Sequence, residues 1–186
     1  LGVSRNTMLA GVLIGAVVMI PALFIAAAIS DRLGRRGIYM LGAACVGAWA
    51  FVLFPLIESG QLLWIAVAIG GGQIGVAMMY GPQAAFLAEM FSTNVRYSAA
   101  SLGYQFGAIF GGALAPVLAT WLLAAYRSTV AISVYIAIAS LLTLISTALL
   151  GVTALNVGGS KEQQASHLPA IAAGEKLLAL AHEERS

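Results

Sequence analysis

The sequence predicts an all-α membrane protein, a polytopic bundle of five transmembrane helices, and three observations carry that prediction. Of the 186 residues 61% are hydrophobic and only 9% are charged, with a mean hydropathy of +0.96; soluble globular domains are about a quarter charged. The apolar residues are gathered into runs of about twenty or more, the length that a hydrocarbon core of about 30 Å requires. No Asp, Glu, Lys, Arg or His falls in the middle of any run, so the charges punctuate the spans rather than interrupt them.

The elements follow in order. A short polar lead carries Arg5 and precedes a first span over 8–28, in which Pro21 removes a backbone donor and predicts a kink that neighbouring helices must cover. Gly11 and Gly15 form a GxxxG pair in that span. The densest charge cluster of the chain, Ser30-Asp31-Arg32-Leu33-Gly34-Arg35-Arg36-Gly37, makes a hairpin to a second span over 38–57, where Cys45 is expected to pack as a small residue and Trp49 to anchor or pack. Glu58-Ser59-Gly60-Gln61 is a tight polar turn into a third span, 62–88, which Gly70-Gly71-Gly72 and Pro82 predict to be bent. A polar connection holding Glu89 and Arg96 leads to a fourth span over 98–123, and the turn at Tyr126-Arg127-Ser128 leads to a fifth over 129–153. Residues 154–186 read as a polar, solvated tail containing both histidines. The opening Leu1 and the lack of a basic lead with a short apolar core and cleavage site suggest a fragment without a signal peptide.

Charge sets the expected orientation. Arg32, Arg35, Arg36, Arg96 and Lys161 fall on one side and only Arg5 and Arg127 on the other. The excess of basic residues in cytoplasmic loops therefore places the hairpin and the tail in the cytoplasm and residue 1 outside.

Several function classes lose support here. The net charge of +2 is spread over loops and tail and makes no footprint for nucleic acid. One cysteine offers no intrachain disulfide. An intramembrane metalloprotease needs His and carboxylate ligands at bilayer depth, an aspartyl one needs two Asp, and a serine one needs a base; none lies within a span, and no metal site is expected. Proton relays in membranes are built from the same residue types, so no span of this chain holds an obvious proton carrier.

Uncharged polar groups at helical spacing remain. On the fourth span Ser98, Ser101 and Gln105 share one face, and Gly103, Gly107 and Gly111 form a small-residue ladder on another, flanked at the same spacing by Ala99 and Ala115. The expectation is a helix that packs through its glycines and turns its polar face to water or solute, with Tyr104 between the two. On the third span Gln73 and Tyr80 nearly superpose on the helical wheel and Gln83 lies at the edge of their stripe. Polar groups are costly in lipid, so both stripes should face protein or a water-filled cavity, and interhelical hydrogen bonding is the simpler alternative for any single one.

The hairpin Asp31-Arg32-Leu33-Gly34-Arg35-Arg36 resembles the cytoplasmic-loop signature of the major facilitator superfamily, with Ala27 and Ile29 departing from its leading Gly and Leu. The stretch GPQAAFLAEMFSTNVRYSAASLGYQFGAIFGGALAP, residues 81–116, is similar to helices ten and eleven of the metabolite:proton symporter branch. The resemblance implies that the five spans are helices eight to twelve of a major-facilitator C-terminal domain and that an N-terminal transporter half is missing. It implies a small polar solute such as an organic acid or osmolyte, a proton as the coupling ion, no cofactor, and residence in the inner (plasma) membrane. Gln73, Tyr80, Gln83, Tyr104 and Gln105 would then line a substrate cavity. Asp31, Arg32, Gly34, Arg35 and Arg36 would form a cytoplasmic gate latch, with Glu89 and Arg96 as a second pair. A helical scaffold subunit with no solute pathway is the alternative from another class.

Overall fold

The computed structural model describes residues 3–89 and 96–158 and the single positions Lys161 and Ala165, with side chains described for 3–87, 97–98, 100–149, 161 and 165. Its elements are α1 (Arg5–Leu33), α2 (Arg35–Glu58), α3 (Leu62–Glu89), α4 (Arg96–Gly107), a π-helical segment (Ala108–Leu114), α5 (Ala115–Tyr126) and α6 (Val130–Gly158). Five stretches among these are long and apolar enough to cross a membrane, with α4, the π segment and α5 sharing one of them. The fold is an all-α bundle, as the composition requires. Helix α6 continues to Gly158, so the first residues of the expected tail are helical; the rest of it, with both histidines, lies outside the described residues apart from Lys161 and Ala165.

Local sequence sets the helix ends. Ser4 caps α1 by accepting the Thr7 N–H at 3.2 Å, which satisfies one of the first-turn donors. Gly34 ends the helix at φ 94°, a backbone conformation costly for any residue with a Cβ, and its N–H donates to the Ser30 carbonyl at 3.0 Å. Gly60 performs the reversal between α2 and α3 at φ 71°.

Helix α3 is the hub, packed on α1 on one side and α2 on the other. Helices α1 and α3 run parallel, and the GxxxG pair sets their approach: a Cβ on Gly11 would stand 2.6 Å from Ile65 Cγ2, and one on Gly15 would stand 2.6 Å from Ile69 Cγ2. Farther along, a Cβ on Gly81 would come within 3.0 Å of the Leu23 carbonyl oxygen and the Ala27 nitrogen of α1. The glycine triplet serves both neighbours. Gly70 faces Val18 of α1, whereas Gly71 and Gly72 form the seat for the Trp49 ring of α2, and any Cβ on Gly71 would overlap that ring. Trp49 Nε1 then donates to the Ala68 carbonyl at 2.8 Å, so the indole is satisfied while its body is packed. Helix α3 is continuous through the triplet and through Pro82.

Helix α6 joins on the far side of α2 through small and polar residues. Ser133, Ser140 and Thr147 are buried at intervals of seven on α6, facing a heptad-spaced α2 stripe of Arg36, Ala43, Ala50 and Ile57. Ser133 Oγ donates to the Ala50 carbonyl at 2.7 Å, and a Cβ on Gly47 would stand 2.9 Å from Ser140 Cβ. Sulfur is not used in this packing: Cys45, expected to pack, is exposed, because it falls on the α2 face turned away from α3 and α6.

The α4–π–α5 rod differs from all of these. Every described residue from Ser101 to Leu114 is exposed, and among the described residues the rod meets the bundle through α4 against α3 and through α5 against α6.

Candidate functional site

The hairpin separates three arginines that the sequence treats alike. Asp31, in the last turn of α1, accepts from Arg35 Nη2 at 3.2 Å, and its side chain is 62% exposed. Arg32 is exposed. Arg36 is only 5% exposed, and its Nη2 donates to the Ala148 carbonyl of α6 at 2.7 Å. Neighbouring residues on an α-helix project about 100° apart, so Arg35 turns back to α1 while Arg36 enters the α2–α6 seam. Arg36 is thus a tie between the hairpin and α6 rather than a third exposed cation, and Gly34 supplies the reversal that lets Asp31 and Arg35 face each other. The side chains of Glu89 and Arg96, the second expected pair, lie outside the described residues.

The polar stripe of α3 is present but unevenly covered. Gln73 is half-buried, its Cγ 3.5 Å from where a Cβ on Gly15 would stand, so it rests in the notch that Gly15 leaves in α1. Gln83 is half-buried and Tyr80 is 51% exposed. Tyr39 of α2 packs on Phe86 of α3, with ring centroids 5.4 Å apart and the planes tilted by 33°. The sequence reading missed Tyr39; its only signal was a hydroxyl at the second position of an apolar run.

The polar stripe of α4 is not brought against that of α3. Tyr104 is 53% exposed, and Ser98, Ser101 and Gln105 are exposed. A Cβ on Gly103, Gly107 or Gly111 would meet nothing within 4 Å, so the ladder expected to pack has no partner among the described residues. Its regular period also breaks: Gly111 lies in the π segment, where hydrogen bonds run i to i+5 and a spacing of four no longer makes one turn. Within this chain the five cavity candidates therefore form two separate groups, Gln73, Tyr80 and Gln83 on α3 and Tyr104 and Gln105 on the rod.

A bundle of five apolar spans with uncharged polar groups on its helices and its charges at the connections defines a multi-pass membrane protein. The chain belongs to the sugar (and other) transporter family, whose model matches residues 1–156, and with it to the major facilitator superfamily. It is 34% identical over 150 residues to the inner membrane metabolite transport protein YhjE of Escherichia coli, covering 78% of this chain and 33% of that protein. It is 30% identical over 139 residues to the proline/betaine transporter of Escherichia coli, covering 73% and 28%. It is 33% identical over 96 residues to the shikimate transporter of Escherichia coli, covering 51% and 22%. The chain spans about a third of the length of the first of these relatives. No solved structure matches it significantly. The family is one of transporters, not enzymes.

Proposed function

We propose that this chain supplies helices eight to twelve of a secondary active transporter in the inner (plasma) membrane, which moves a small polar metabolite with protons by alternating access. The single observation that carries the reading is the uncovered polar face of α4: Ser98, Ser101, Tyr104 and Gln105 stand exposed at the level of apolar spans, beside a helix whose Gln73 is half-buried. Hydrogen-bonding groups in that position need water, solute or protein from outside the chain. The named substrates of the relatives, shikimate and proline or betaine, are small, polar and charged, which favours an organic acid or osmolyte here. The proton carrier belongs to the rest of the transporter, since the spans of this chain carry no Asp, Glu, Lys, Arg or His in their middles. The hairpin and the C-terminal end are cytoplasmic on the distribution of arginines.

The hairpin's electrostatics support a latch. Asp31 sits at the C-terminal end of α1 and Arg35 in the first turn of α2, each at the helix end whose partial charge disfavours it by about 0.3–1 kcal/mol. Their mutual pairing, across the break between the two helices and with Asp31 exposed, returns only about 0.2–1 kcal/mol. A carboxylate held so weakly is available to a better site, such as the N-terminus of a helix in the other half when the cytoplasmic side closes.

In the complete transporter, Gln105→Leu should lower solute uptake by about tenfold, the effect of losing roughly 1.4 kcal/mol of hydrogen bonding, whereas Gly103→Ala should lower it less. The opposite order would mean that the glycine face, not the polar face, meets the solute. Ser101→Cys and Gln105→Cys should react with a water-soluble thiol reagent in one orientation of the transporter, and failure to react in either would favour a scaffold without a solute path. Asp31→Asn should reduce uptake at unchanged expression, and unaltered uptake would remove the latch.

A further inference from the structure

A cleft of about 590 Å³ opens where the end of α2 meets the α5–α6 turn, lined by Glu58, Leu123, Arg127, Ser128, Thr129 and Val130. It lies at the end of the bundle opposite the hairpin. We propose that this cleft binds a zwitterionic group, its cationic part against Glu58 and its anionic part against Arg127.

Glu58 is held by a side-chain bond and Arg127 is placed by its backbone. Thr129 Oγ1 donates to Glu58 Oε1 at 2.9 Å, which ties the carboxylate to the start of α6. Arg127 stands at φ 50° and is the only residue other than glycine with positive φ among the described residues. Its N–H donates to the Leu123 carbonyl at 2.9 Å and closes α5. Glycine is the usual occupant of such a helix end, and a side chain kept in a disfavoured conformation points to use of that side chain. The two charges share the cleft without pairing: the ion pair among the described residues joins Asp31 to Arg35. A purely anionic or purely cationic ligand would meet one attractive and one repulsive group here. A ligand carrying both charges meets two attractive ones.

The level of the cleft in the membrane suggests where such a group comes from. Trp64 in the first turn of α3 and Trp121 and Tyr126 on α5 are exposed at this same end, as aromatic residues are where a span meets the headgroup region. Leu123 and Val130 add an apolar flank. A phosphoethanolamine headgroup with its lipid tails beside that flank fits this chemistry, and so does a free zwitterion of the betaine or amino-acid type waiting at the outer surface.

The test is native mass spectrometry of the complete transporter in neutral detergent, titrated with phosphatidylethanolamine and with phosphatidylglycerol of the same acyl chains. Retention of the zwitterionic lipid should exceed that of the anionic one by about fivefold, and Arg127→Gln should abolish the preference. Glu58→Gln should raise phosphatidylglycerol retention while lowering phosphatidylethanolamine retention, an opposed change that loss of folding cannot produce. Binding of millimolar phosphoethanolamine or glycine betaine that depends on both residues, with no preference between the lipids, would assign the cleft to the free zwitterion. Equal retention of the two lipids with no zwitterion binding, a preference for phosphatidylglycerol, or a zwitterion preference that survives both substitutions would overturn the proposal.

Discussion

The two glycine patterns of this chain have the same spacing and opposite surroundings. Gly11 and Gly15 on α1 admit Ile65 and Ile69 of α3, and Gly71 admits a whole indole ring; Gly103, Gly107 and Gly111 on the α4–π–α5 rod admit nothing within 4 Å. In lipid there is no hydrophobic driving force between helices, so close approach, dispersion contacts and interhelical hydrogen bonds must hold them together. The bundle has all three, in the glycine notches, the Trp49 seat and the Ser133 bond to α2. The rod has the notches and the polar groups, but over residues 101–114 it has no opposing surface among the described residues. A small-residue ladder is therefore permission to pack, and whether packing follows depends on what stands opposite.

Paired substitutions can break or sharpen this contrast. The largest effect should come from Gly71→Val, which drives two methyl groups into the Trp49 ring and its hydrogen bond to Ala68. Overpacking of a filled contact costs about 1–3 kcal/mol, and because an indole cannot step aside the upper end applies; Gly107→Val should cost almost nothing in the isolated chain. Reversible unfolding in mixed micelles would measure both, and equal losses would mean that the rod is packed after all. A smaller difference is expected for Gly11→Ala against Gly103→Ala. The added methyl at Gly11 meets Ile65 Cγ2, a branch methyl fixed at χ1 on a fully buried residue, so a cost of about 2 kcal/mol, the middle of the overpacking range, is expected there and none at Gly103. The smallest is Ser133→Ala against Ser101→Ala: an interhelical hydrogen bond in a membrane is worth about 0.6 kcal/mol on average, and only Ser133 makes one in this pair. In the complete transporter the rod's silent positions should become sensitive, and persistent silence would count against its packing on helices outside this chain.

Much of the hairpin was legible from residues alone. Asp31 and Arg35 are four apart, and Gly34 stands where the chain must reverse, so pairing and positive φ follow from local geometry. Arg36 was not legible. Its burial depends on a carbonyl 112 residues away on α6, and nothing near it in the chain distinguishes it from Arg35. The glycine triplet predicts a bend because glycine weakens a helix locally. Its second role, as the seat of Trp49 and the neighbour of Val18, depends on residues distant in sequence. The Ser133, Ser140 and Thr147 stripe carried a visible period of seven, but short hydroxyl residues within an apolar span can also satisfy themselves on their own helix, as Thr143 does through the Ala139 carbonyl at 2.9 Å.

The sequence by itself determined that this is a membrane bundle and where its charges interrupt the spans. Hydropathy and charge act residue by residue against a fixed solvent, and twenty apolar residues in a row have one low-energy place to be. Only the tertiary structure decided which glycines are filled, which arginine is buried and which polar face is left uncovered. Those outcomes rest on the identity of the residue opposite, across a contact between helices far apart in the chain, and no local property of a glycine, an arginine or a glutamine specifies it.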